Sequence, residues 1–101
     1  MKVLSFDWDQ WNVQKNETKH GVSSLEAESS FFDESAIIFS DIIHSTIKEE
    51  RWILYGKSMY HKILMVAFTI REDRIRIISA RDMNRKERSK YNEQTKESAS
   101  T

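Results

Sequence analysis

At 101 residues and 12.0 kDa, the chain is long enough for one hydrophobic core and too short for two domains. It has no cysteine, which excludes a disulfide framework, a zinc–thiolate site and a thiol nucleophile. Formal charge sums to zero, but residues 1–50 hold 4 basic and 10 acidic side chains (−6) and residues 51–101 hold 12 and 6 (+6), which leaves room for a polarised surface that steers an anion or seats a charged partner.

In chain order, "MKVLSFDWD" has too short an apolar run for a signal peptide, and "KVLSF" reads as a first strand ending at Asp7. Asp9 offers an N-cap oxygen for a helix carrying Trp11 and Val13 and running to Thr18. Lys19 and His20 then sit at the negative end of the helix dipole, and Gly21 supplies the left-handed residue that closes the helix. "SSLE", Ser23 to Glu26, has capping-box spacing and opens a second helix that reaches Phe31 or Phe32.

"AIIFS" (36–40), "RWILY" (51–55), "KILMVAFTI" (62–70) and "RIRIIS" (74–79) are rich in β-branched and aromatic residues and read as strands, with the almost wholly apolar 63–68 as the central one. The same run is too short to span a membrane, so a soluble cytoplasmic protein is expected. The link from Tyr55 to Lys62, with Gly56, closes one hairpin and "REDR" (71–74) the next, so three consecutive strands form an antiparallel meander. Asn84 and Glu87 repeat the capping-box spacing and start a last helix that ends near Tyr91. "NEQTKESAST" has no apolar residue larger than alanine, which makes residues 1–91 one domain and 92–101 a frayed polar tail.

Helices, then strands, then a helix predict an α+β domain with helices gathered on one face of an antiparallel sheet and the other face partly open. Alternation sets Trp52 and Leu54 opposite Arg51, Ile53 and Tyr55, and Ile75 and Ile77 opposite Arg74 and Arg76. If the helices cover the Trp52 and Ile75 side, Arg51 and Arg76 converge on the open one.

"FDWD" followed by Asn16, "KHGV", "EERWILYG", "LMV" and "RIRIISARDMNRKERSKY" together resemble the BrnT toxins of bacterial type II toxin-antitoxin systems, over roughly residues 6–91. The resemblance implies a RelE-like α+β fold, with two N-terminal helices packed on an antiparallel sheet followed by a C-terminal helix. It implies a ribonuclease that blocks translation by cutting RNA. It also implies a BrnA-like antitoxin, whose DNA-binding domain lets the complex repress its own operon, so that operator DNA is met through the antitoxin. The family usually has lysine where Asn12 stands, and an aromatic and an acidic residue where Ser24 and Leu25 stand.

Metal-free RNA cleavage must remove the 2′-hydroxyl proton, stabilise a phosphorane-like transition state and protonate the leaving 5′ oxygen. Arg51, Arg76 and Arg81 match the family pattern and suit the second task, since a guanidinium stays charged and grips phosphate oxygens bidentately. The alternative for each is an ordinary ion pair with a neighbour such as Glu50 or Asp82. His20 is the candidate acid or base, with Lys19 beside it to bind phosphate or perturb its titration, unless it merely closes its helix. Trp8 either stacks on a base or anchors the first helix, and Glu50 either positions Arg51 or acts as a weak base. His44 and His61 lie in loops and receive no role. With no His-x-x-x-His helix and no cysteine, neither metal nor cofactor is expected. Arg85, Lys86, Arg88 and Lys90 form a solvated face that aids RNA binding or meets an acidic antitoxin segment. Two other classes compete: a non-catalytic relative that survives as a corepressor in an antitoxin complex, and, by fold analogy alone, a gyrase inhibitor.

Overall fold

The computed structural model describes residues 5–99, with side chains to residue 93. The order is β1 (Ser5–Asp7), α1 (Gln10–His20), α2 (Ser24–Ser29), a 3₁₀ turn (Ser30–Phe32), β2 (Ile37–Ser40), β3 (Trp52–Lys57), β4 (Ile63–Arg71), β5 (Arg74–Asp82) and α3 (Arg85–Ala99). The expected start of the first strand, Lys2–Leu4, lies outside the described residues.

Caps set the N-terminal half. The Asp9 carboxylate accepts the Trp11 N–H at 2.8 Å, and Gly21 closes α1 at φ 65° with its N–H on the Glu17 carbonyl. The Ser23 hydroxyl accepts the Glu26 N–H at 3.1 Å. The Glu26 carboxylate does not complete the box; it is buried and accepts the Ser58 hydroxyl at 2.9 Å, which ties α2 to the β3–β4 turn.

The sheet runs β1-β5-β4-β3-β2. Strands β2 to β5 form an antiparallel meander, but β1 pairs parallel with β5, Phe6 opposite Ile75, so the expected antiparallel sheet is a mixed one. No hairpin fixes the direction of β1, and of the two edges that the meander leaves free, β5 and β2, it takes that of β5. Where β1 ends, α1 takes over that edge, and the Asn16 Oδ1 accepts the Ala80 N–H at 3.3 Å.

One face of the sheet carries Leu54, Leu64, Val66, Phe68, Ile75, Ile77 and Ala80 against Val22, Ala27 and Phe31, with Phe6, Trp8 and Trp52 at its margin. Alternation therefore holds for Trp52, Leu54, Ile75 and Ile77. The other face is not left to solvent along its length: Met83 and Tyr91 cover Ile37, Phe39, Ile53, Tyr55, Ile63 and Met65, so α3 lies opposite α1 and α2 and the helices are not all on one face. Met83 and Tyr91 are the buried side chains of the C-terminal segment and need an apolar surface, which this face supplies. Beyond Tyr91 the helix continues to Ala99 through residues that include neither glycine nor proline, so nothing local stops it.

Two turns differ from expectation in detail. Gly56 lies inside β3, not in the hairpin turn; a Cβ there would stand 2.5 Å from the Ser30 carbonyl oxygen, so glycine is what lets the 3₁₀ turn pack on the strand. The left-handed residue of that turn is His61 (φ 63°). The "REDR" hairpin closes as expected, with Glu72 and Asp73 both left-handed.

Candidate active site on the second face of the sheet

Between α3, the β2–β3 loop and the middle of α1, the second face holds a depression of about 410 Å³, lined among others by Lys15, His44, Arg51, Tyr55, Arg81 and Glu87 above a floor of Ile53, Met65, Ala67 and Ile78. Arg51 leads into β3 and Arg81 lies near the end of β5. Simple alternation would place Arg81 on the opposite side from Arg76. A bulge corrects this: Ala67 pairs with Ser79 but Phe68 with Ile77, so Ile78 is unpaired and the residues after it change side.

Arg81 is fixed by α3. Its Nη1 and Nη2 donate to the two oxygens of Glu87 at 2.8 and 2.9 Å, and Nη1 also reaches the Asp82 carbonyl at 3.1 Å. Glu87 is placed in turn by a complete capping box, accepting the Asn84 N–H at 2.9 Å while its own N–H donates to the Asn84 Oδ1 at 2.9 Å. Hydrogen bonding to Glu87 holds the Arg81 guanidinium above its ordinary range. Burial alone would raise the Glu87 carboxyl, but its bonds to Arg81 and Asn84 outweigh this and hold it low. Burial pushes the Tyr55 phenol up. Arg51, by contrast, forms no ion pair among the described residues.

The Asp41 carboxylate, 16% exposed, meets the His44 Nδ1 at 2.9 Å. An ionised carboxylate only accepts, so in the neutral imidazole Nδ1 carries the proton and Nε2 the lone pair. Both residues line the depression. His44 and Lys15 were missed by sequence reasoning: a histidine in a loop has no periodicity to place it, and Asp41 three residues earlier is an ambiguous signal. Asn12, where the family resemblance calls for lysine, is half-buried, whereas Lys15 one turn later reaches the depression.

The other candidates fall elsewhere. Arg76 shares the face but pairs with Thr69, towards the far end of the hairpin, and its Nε lies 3.6 Å from Asp7, an ion-pair distance too long for a hydrogen bond. His20 is half-buried at the end of α1, and neither it nor Arg76 lines the depression. Lys19 lines a different hollow with Trp11, Gln14, Lys15 and Thr18, on the side of α1. Trp8 is an anchor: it packs on the core and its Nε1 donates to Glu28 at 2.7 Å. Glu50 is exposed and accepts from the Ser40 hydroxyl at 3.4 Å; the geometry gives it no hold on Arg51. Among the described residues no three of His, Cys, Asp or Glu group as metal ligands, and no helix is long and apolar enough to cross a membrane.

The model of the BrnT ribonuclease toxins of type II toxin-antitoxin systems matches residues 8–87. The chain belongs to the BrnT family. Its fold is similar to that of the crystallised Brucella abortus ribonuclease toxin BrnT, with TM-score 0.59 and 23% identity over 82% of this chain and 100% of that one. No curated protein matches it. That family is one of ribonuclease toxins of type II toxin-antitoxin systems, which implies an antitoxin as partner.

In this BrnT chain the wall formed by α3 is held at a second point. The Tyr91 hydroxyl donates to Asp33 at 2.5 Å, and Asp33 also accepts the Lys57 and Ser35 N–H groups at 2.8 and 3.0 Å. Burial alone would raise Asp33, but these bonds outweigh it and hold its carboxyl below the ordinary 3.8. Burial first, and the bond to Asp33 second, push the Tyr91 phenol well above 10.0. A lowered carboxylate adds stability that is present above 3.8 and is lost as pH falls through the folded value; a raised phenol adds stability that is present below 10.0 and is lost as pH rises through its folded value. Denaturant unfolding across pH is expected to show both limbs. Tyr91→Phe should lose about 1.5–3 kcal/mol at neutral pH and flatten the alkaline limb; an unchanged alkaline limb would mean that Tyr91 is not its source.

Proposed function

We propose that this BrnT family toxin cuts RNA without a metal, in the second-face depression, and so inhibits translation in the cytoplasm. The observation that carries the reading is one hollow joining an Asp41–His44 pair to two arginines, one just before β3 and one in β5. His44 Nε2 takes the proton of the 2′-hydroxyl, whose oxygen attacks the adjacent phosphorus. Arg51, with no ion pair of its own, and Arg81, through its Nε–H and its second Nη2–H, hold the phosphorane oxygens as charge builds. Lys15 is the cation at hand to deliver a proton to the departing 5′ oxygen. Products end in a 2′,3′-cyclic phosphate and a 5′-hydroxyl. The fold is read as RelE-like, with neutralisation by a BrnA-like antitoxin through which the complex reaches operator DNA.

Purified protein incubated with total RNA in EDTA, with and without ribosomes, tests this. Cleavage leaving cyclic phosphate ends is the expected result. Intact RNA in both reactions, from folded protein, would overturn the catalytic reading and leave a binding partner of the antitoxin.

A further inference from the structure

The β2–β3 loop displays Ile42 at 82% exposure, Ile43 at 87% and Ile47 fully exposed, beside the edge strand β2 with Ile38 at 44%. Scattered single isoleucines are unremarkable; three from one short loop, all out of the core, are not. The loop is built rather than slack. The Asp41 N–H bonds the Arg51 carbonyl at 2.8 Å and the Ser45 N–H bonds the Asp41 carbonyl at 3.0 Å. The Ser45 hydroxyl accepts the Arg51 N–H at 2.9 Å, Thr46 Oγ1 accepts the Glu49 N–H at 3.0 Å, and Glu49 is held by Arg71 Nε and Nη2 at 2.9 and 2.6 Å. A braced loop presents its apolar side chains with little ordering entropy left to lose on binding.

Charge beside the loop narrows the occupant. A second hollow of about 440 Å³ is lined by His44, Thr46, Lys48, Glu49 and Arg51. Its one carboxylate, Glu49, is spent on Arg71, while Lys48 and Arg51 have no ion pair among the described residues. An acidic segment complements these two cations.

We infer that the Ile42–Ile43–Ile47 loop is the antitoxin's docking ledge, taking a segment that sets apolar side chains on the isoleucines and carboxylates against Lys48 and Arg51. The inference rests on family membership for the existence of the antitoxin. It adds a mode of neutralisation to the proposed function, because His44 and Arg51 line both hollows and a segment seated here shuts the RNA site.

The test co-expresses the full chain with its cognate antitoxin and measures the affinity of the purified partners at two salt concentrations, for wild type, Lys48→Glu, and the triple variant Ile42→Ser, Ile43→Ser, Ile47→Ser. The triple variant is expected to bind about tenfold or more weakly while cutting RNA as wild type does. Lys48→Glu is expected to weaken binding, and wild-type affinity to fall with salt. Wild-type affinity in the triple variant would overturn the assignment, as would salt-independent binding. So would a triple variant whose only change is lost self-association, which would make a second copy of the chain the occupant. Inactivity of the wild type on RNA is a separate failure, of the proposed chemistry, and leaves the affinity comparison readable.

Discussion

His44→Ala is expected to lower RNA cleavage by about 10²–10⁴-fold, the range that general acid–base groups contribute, with the fold intact. The imidazole is 61% exposed, so circular dichroism and thermal unfolding should match wild type. Asp41→Asn should cost less. An amide still fills the space but presents an NH₂ as readily as an oxygen to Nδ1, so the tautomer that frees Nε2 is no longer enforced. Arg51→Ala should fall with His44→Ala, and Arg51→Lys should recover little, because a single ammonium cannot span two phosphate oxygens. His20→Ala and Arg76→Ala, outside the depression, separate the two versions of the site. Single-turnover cleavage of a defined RNA decides between them: full activity in His44→Ala with loss in His20→Ala would move the chemistry from the β2–β3 loop to the end of α1.

Phe31→Ala is expected to cost about 3–5 kcal/mol, a large part of the roughly 5–15 kcal/mol that holds a domain together. Phe31 is 4% exposed and sits in a chain of edge-to-face rings, 5.3 Å from Phe6 on β1 and 5.0 Å from Phe68 on β4. Its loss leaves a cavity between the 3₁₀ turn and the sheet and removes the ring that β1 rests on. Phe32 is the control: at 63% exposure, with one ring contact to Phe6 at 6.5 Å, its alanine variant should lose under about 1 kcal/mol. Urea unfolding monitored by fluorescence measures both. Equal losses at the two positions would show that the clamp is not at Phe31.

Neighbouring phenylalanines with such different expected effects show where legibility stops. "SFF" reads the same at both positions; which ring turns inward depends on a 3₁₀ turn pressed onto Gly56, roughly 80–90 Å of extended chain away. The same holds for His44. Its identity was visible, but its value comes from Asp41 and from an arginine that a braced loop carries to the same hollow.

What the sequence by itself determined is local or periodic: the Asp9, Ser23 and Asn84 caps, the Gly21 stop, the four strands after the helices with three of them joined as a meander, and the Trp52, Leu54, Ile75, Ile77 side. It also carried the family, through an ordered set of short motifs that the match over residues 8–87 bears out. Each of these depends on side chains within a few residues, or on a period of two, and so survives without knowledge of the fold. Tertiary structure alone decided the parallel pairing of β1, the crossing of α3 to the second face, and the bulge at Ile78 that turns Arg81 into the hollow. Those depend on which edge is free, which apolar surface is still bare and how strands shift past one another, and these are competitions between distant segments that local spacing does not record.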